Sequence, residues 1–371
     1  MDVGRGGSPS SGGQLGFSGP NPGGNAGFGA AGSGGGAGLV AAAGGGGATA
    51  AGGPSAGGVG TMGDSGAAGA GECACGACGH ACAGGSCVDS ACQPVLLAAG
   101  QDTPCGIAVD ASRVYWTTAA GTVLAVPIAG GRVTTLASGQ NHPCGVAVDA
   151  ARVYWVNLTT IGQVMSVPLA GGEAVTLADG QSRPFNIVVQ NGSLYWTNSG
   201  NADGGAVMTL PTSGGVPVVL ASQQAHPVGI AVAADTLYWT SVGQGAIRSL
   251  PLSGGAVSTL ATDQSAPLGV AIQGATAYWT TDGTGTVASV ELSGGAPRRL
   301  SSGVDPSGIA VDEQHVYWTD GVGLVNRASL TGGEPTVLAT TEPGAWQMAI
   351  DARNIYWIAG DTAGVVMKLA K

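Results

Sequence analysis

Every tyrosine in this 371-residue chain is followed by a tryptophan, and the seven pairs recur at a nearly fixed interval. They stand at Tyr115-Trp116, Tyr154-Trp155, Tyr195-Trp196, Tyr238-Trp239, Tyr278-Trp279, Tyr317-Trp318 and Tyr356-Trp357, with spacings of 39, 41, 43, 40, 39 and 39 residues. A period near 40 built from short β segments is the signature of a propeller blade. Each unit reads strand, turn, strand, loop, strand, turn, strand. In the second unit these are GVAVD (145–149), VYWVN (153–157), GQVMSVPL (162–169) and AVTLA (174–178). Gly-Gly pairs at 130–131, 171–172, 214–215, 254–255, 294–295 and 332–333 permit the positive φ of a tight hairpin. Asp-Ala at 110–111, 149–150 and 351–352 supports a compact turn between the first two strands.

The strands are apolar at consecutive positions, as in Val114-Tyr115-Trp116. A lone sheet would expose such residues, whereas a blade sandwiched between two others covers both faces. The fourteen aromatics of the Tyr-Trp pairs are therefore expected in the core, each Tyr and its Trp entering opposite interfaces. The strand count leaves a remainder. The last unit ends at GVVMKLAK (364–371), in its third strand, and QPVLLAAG (93–100) has the text of a fourth strand with no unit before it. The fold class is accordingly all-β, a seven-bladed β-propeller whose last blade is completed by an N-terminal strand at 94–99. Leu96 and Leu97 are expected beside Val365–Leu369, removing two unpaired edges.

Units such as PSGIAVDEQHVYWTDGVGLVNRASLTGG (306–333) resemble the YWTD propellers of low-density-lipoprotein-receptor-type proteins, and also bacterial propellers with YWTN-like repeats. The resemblance covers about 94–371. Two departures stand out: those receptor propellers have six blades against seven here, and the complete motif occurs only at Tyr317-Trp318-Thr319-Asp320, the other units reading YWTT, YWVN, YWTN, YWTS and YWIA. The resemblance implies a binding or adhesion scaffold and carries over no ligand residues.

Composition divides the chain into an arm at 1–71, a cysteine-rich linker at 72–92 and the propeller at 93–371. The arm holds 29 of the 70 glycines and almost no large apolar side chains, so disorder is expected of it. In the linker, Cys73, Cys75, Cys78, Cys82, Cys87 and Cys92 lie among small residues. A disulfide knot is the expected reading. Zinc held by four thiolates, or by three and His80, is the alternative, though the spacing lacks a paired C-x-x-C pattern. Cys105 and Cys144 occupy identical PCG positions of adjacent units and are a candidate inter-blade disulfide. The opening MDVGRGGSPSSGG has neither the basic nor the apolar region of a secretory signal, so an extracellular or cell-envelope location is inferred from the cysteines, with the cytoplasm as alternative.

Over 93–371 there are 18 acidic and 11 basic residues and no basic cluster, which argues against nucleic acid and anionic lipid. No run of 18 apolar residues predicts a membrane span. The functional face is expected where the loops into each first strand meet the loops between second and third strands. The former carry Asn141, His142, Arg183, Phe185, Asn186, His226, Asp263, Trp346 and Gln347; the latter carry Asn157, Asn198, Asn201, Asp203, Asp282, Asp320 and Asp361. Trp346, the tryptophan outside the pairs, marks the last unit's departure from the repeat. The candidate ligand face is His142, Arg183, Phe185, Asn186, His226, Trp346, Gln347 and Asp320, for a protein or glycan partner. A lactonase- or lyase-like enzyme with its site at the channel mouth is the alternative. No catalytic residue, metal or cofactor is assigned, because no G-x-S-x-G, H-E-x-x-H or phosphate loop occurs within 93–371. A monomer is expected.

Overall fold

The computed structural model describes residues 87–88, 91–201 and 204–371. The arm, Cys73, Cys75, Cys78, Cys82 and Asp203 lie outside the described residues; of Cys87 and Asn201 only the backbone is described. Seven four-stranded antiparallel sheets follow in chain order. Blades one to six span 104–137, 143–181, 184–222, 227–261, 267–302 and 306–340; blade seven takes 347–370 and a fourth strand, Val95–Gln101. First strands of neighbouring blades lie against one another, and that of blade seven meets that of blade one, so the ring is closed.

The closing strand pairs Val95 with Lys368, Leu96 with Met367, Ala98 with Val366 and Gln101 with Gly364. It runs slightly beyond the expected 94–99. It is a true equivalent of the other fourth strands, since each carries a register shift near its middle, as between Val123 and Leu124 in blade one. Such a bulge bends the edge strand and adds to its twist. Leu97 is buried whereas Leu96 is 54% exposed, so one residue of the pair anchors the clasp. Lys368, buried itself, donates from Nζ to the carbonyl of Ile128 at 3.0 Å and ties blade seven to blade one.

Seven apolar clusters fill the seven interfaces. The Tyr of each blade meets the Trp of the next: Tyr115 with Trp155, Tyr154 with Trp196, Tyr195 with Trp239, Tyr238 with Trp279, Tyr278 with Trp318, Tyr317 with Trp357, and Tyr356 with Trp116 across the closure. Burying side chains of this size stabilises by about 1.5–3 kcal/mol each. Two neighbouring positions of one strand thus serve two interfaces, because successive side chains leave opposite faces of the sheet.

Polar side chains fix the packing. Four blades, six, seven, one and two, place an Asp in the first turn, whose carboxylate accepts the Tyr hydroxyl of its own blade: Asp110–Tyr115 at 2.7 Å, Asp149–Tyr154 at 2.9 Å, Asp312–Tyr317 at 3.0 Å and Asp351–Tyr356 at 2.6 Å. The same carboxylates accept backbone N–H groups of the turn, as from Ser112 and Arg113 to Asp110. The Thr after the Tyr-Trp pair bridges blades. Thr240 accepts the Gly229 N–H at 2.9 Å and donates to the carbonyl of Leu268 in the next blade at 2.8 Å; Thr117 and Thr280 repeat the arrangement. The glycine it binds is forced by close approach: a Cβ on Gly229 would stand 2.2 Å from the Leu268 carbonyl oxygen.

Candidate functional site

Each crossover from one blade's outer strand to the next blade's inner strand is built alike. In six blades the residue before the first-strand proline has positive φ: Thr103, His142, Arg183, His226, Ala266 and Asp305, between 48° and 58°. The left-handed region costs a non-glycine residue roughly 1–2 kcal/mol. Here it turns the carbonyl onto the loop between second and third strands; His142 accepts from the Leu158 N–H, Arg183 from Ser199, His226 from Val242 and Asp305 from Gly321. Because six blades share this strain, it belongs to the architecture and does not by itself mark a site. Its consequence is placement. His142, Arg183 and His226 occupy equivalent positions on blades two, three and four of one face.

Just inside that ring, the first strands of blades one to six begin with a bulge in which two residues oppose one, as at Cys105-Gly106 between the pairs Pro104–Thr118 and Ile107–Trp116. That of blade seven pairs from Gln347 without one. Bulges re-aim side chains. The first bulged position holds Cys105, Cys144, Phe185, Val228, Leu268 and Ser307 in blades one to six, and Trp346 stands at that position of blade seven. Cys105 and Cys144 form a disulfide between blades one and two, with Cα atoms 4.9 Å apart. Cys92, ahead of the closing strand, is disulfide-bonded as well. Phe185, Val228, Leu268 and Trp346 are each partly exposed, so an apolar rim surrounds the axis at this end.

The second position is glycine in five blades and Asn186 or Gln347 in the other two. At Gly106, Gly145, Gly229, Gly269 and Gly308 an added Cβ would lie within 3 Å of the neighbouring blade. Blades three and seven, nearly opposite on the ring, instead carry a polar side chain directly behind an aromatic one. The Asn186 Oδ1 accepts the Ile187 N–H at 2.9 Å, and the Trp346 carbonyl accepts the Ser307 hydroxyl at 2.9 Å. Phe185-Asn186 and Trp346-Gln347 are thus the two places where the inner wall departs from its repeat.

The loop face is acidic. Asp102, Asp179, Asp263, Asp305, Glu342 and Asp361 are exposed on it, and among the described residues its Lys and Arg are Arg183 and Arg248. On the opposite face, Arg113, Arg152, Arg353 and Lys371 offset the turn carboxylates, and Lys371 pairs with Asp312 at 3.0 Å. Burial, and then the charge of nearby Asp305, hold the Asp282 carboxyl above its ordinary value. Burial lowers the His142 imidazole, which favours its neutral form.

Asp320 does not join this face. It is 2% exposed, and its carboxylate accepts the Leu324 N–H at 2.7 Å and the Asn326 amide at 3.2 Å inside its own hairpin. The aspartate of the complete YWTD motif is a turn residue, because a short carboxylate at the end of the second strand satisfies the donors that follow. Asn157 and Asn198 are likewise buried, each accepting from the Trp of its own blade. His315 lies on the opposite face beside Tyr317. No hydrogen bond joins His142, Arg183 and His226, and among the described residues no group of three or more His, Cys, Asp or Glu could hold a metal.

Sequence reasoning overlooked a glutamine fifteen residues before the Trp. Gln101, Gln181, Gln224 and Gln264 accept the indole N–H of Trp116, Trp196, Trp239 and Trp279 at 2.9–3.1 Å. The signal was present as a recurring L-A-x-x-Q, in LAAGQ, LASGQ, LADGQ, LASQQ and LATDQ.

No family model matches the chain, and no curated protein matches its sequence. Solved structures do. The virginiamycin B lyase of Staphylococcus aureus is similar with a TM-score of 0.65 and 16% identity, over 75% of this chain and 98% of that one. The WD40 propeller domain of Doa1 gives 0.63 and 15%, over 74% and 96%. A chain of a nidogen/laminin complex gives 0.52 and 20%, over 62% and 94%. At these identities the likeness establishes the β-propeller and leaves the activity open.

Proposed function

We propose that this chain is a YWTD-type propeller acting as a non-catalytic binding module, which presents its loop face to a partner outside the cytoplasm. The observation that carries this reading is the pair of departures at Phe185-Asn186 and Trp346-Gln347. Blade sequences are otherwise held to type by the close approach of inner strands, and these positions put partly exposed aromatics at nearly opposite points of the rim. Aromatic side chains supply large contact area at low entropic cost, as binding surfaces require. The polar residues of the face, by contrast, are dispersed over separate blades, which suits a broad contact better than the tight convergence that general acid–base chemistry needs. The disulfides at Cys92 and between Cys105 and Cys144 support an oxidising compartment.

The test is retention of partners from the native extracellular fraction by the intact protein and by a Phe185→Ala/Trp346→Ala variant with an unchanged melting profile. Partners retained by the first and lost by the second are expected. Turnover of a lactone or glycan substrate that is abolished by exchanging loop-face residues such as His142 or Asp282 would replace this reading with an enzymatic one.

A further inference from the structure

Resting on the binding reading above, we infer that the partner engages this face through a basic polypeptide segment carrying an apolar anchor residue. The charge partition is the first ground. The exposed carboxylates Asp102, Asp179, Asp263, Asp305, Glu342 and Asp361 come from the loops of several blades and surround the rim, with Arg183 and Arg248 as the opposing cations. A cleft end of one charge sign concentrates and orients ligands of the other sign before contact.

The second ground lies inside that belt. Phe185, Val228, Leu268 and Trp346 form partly exposed apolar surface around the axis, flanked by the Cys105–Cys144 disulfide. A polyamine or a simple cation would be drawn by the carboxylates and would leave this apolar rim unused. A segment alternating Lys or Arg with a Leu, Phe or Trp uses both, because long cationic side chains reach outward while the apolar one enters the rim. Asp282 adds a third point. Its carboxyl is half-buried beside Asp305, a repulsive pair that a bound cationic side chain relieves.

The experiment is selection from a displayed library of random dodecapeptides on the full disulfide-intact chain, followed by calorimetric titration of the enriched peptides. Enrichment in Lys or Arg together with an aromatic or large aliphatic residue is expected. Affinity should fall about tenfold or more in Phe185→Ala/Trp346→Ala, and also in the surface double variant Asp263→Lys/Glu342→Lys, and should weaken steeply between about 50 mM and about 500 mM salt. Uncharged or acidic peptides whose binding still needs Phe185 and Trp346 would overturn the basic assignment and leave the binding face standing. Selection of no peptide sensitive to either aromatic would overturn both.

Discussion

The indole Nε1 of Trp116 donates to the Gln101 side-chain oxygen at 2.9 Å, which joins the last residue of the closing strand to the core of blade one. The same fifteen-residue relation recurs at Gln264 and Trp279. Blades six and seven lack it: Gly303 and Glu342 stand fifteen residues before Trp318 and Trp357, whose buried Nε1 atoms have no hydrogen-bond partner. An unmet donor in the core costs about 1–3 kcal/mol. Gln264→Ala should therefore destabilise by about 1–2 kcal/mol, and Trp279→Phe should cost more than Trp318→Phe by about 1 kcal/mol, since the latter removes a donor already unsatisfied. Denaturant unfolding of the three variants checks the order.

Closure rests on Leu97 rather than Leu96. Leu97 is buried with Trp116 and Tyr356 in the cluster between blades seven and one, while Leu96 is largely exposed. Leu97→Ala is expected to cost about 2–5 kcal/mol, and Leu96→Ala no more than about 0.5 kcal/mol. Deleting 93–100 should lower the melting temperature sharply; an unchanged melting profile would dismiss the N-terminal clasp.

The Cys105–Cys144 bond closes a loop of 39 residues between two inner strands. Loss of a bridge of this span costs about 2–4 kcal/mol. Cys105→Ser with Cys144→Ser should show that loss under non-reducing conditions. Wild type and the double variant should draw closer in stability once reductant is added.

Acid and alkali should loosen the same bolts. Burial pushes the Asp312 carboxyl up, but the N–H groups of Gln314 and His315, Lys371 and the Tyr317 hydroxyl outweigh it and bring it to about 2. Its folded value lies below the ordinary 3.8, so the stability it contributes is present above that value and is lost as pH falls towards about 2. The partners of Tyr154 work at the other limb: burial and the bond to Asp149 push its hydroxyl up to about 12, so stability is intact below the ordinary 10.0 and declines as pH rises through the folded value. Melting temperature against pH should show both limbs, with Asp312→Asn flattening the acid one.

The Tyr-Trp repeat made the blade count, the opposed destinations of the two aromatics and the orphan strand legible, because each follows from period and alternation along the chain. Trp346 was visible as a departure from the repeat, and Phe185, Asn186 and Gln347 as members of the entry-loop set. The role of Asp320 was not: a carboxylate at the end of a strand looks alike on paper whether it faces solvent or caps its own hairpin. Nor was the clamp made by Thr117, Thr240 and Thr280, whose acceptor carbonyls lie in the following blade.

The sequence by itself determined the architecture, since short-range patterning chooses strand, turn and period at every unit. Only the tertiary structure decided which side chains share a face, because ring closure brings together positions some 40 or more residues apart. It placed Phe185 and Trp346 on one rim and Cys105 against Cys144, and it separated the carboxylates of the loop face from the balanced charges opposite. Those relations depend on curvature and blade number, quantities set by packing between sheets rather than within any one repeat.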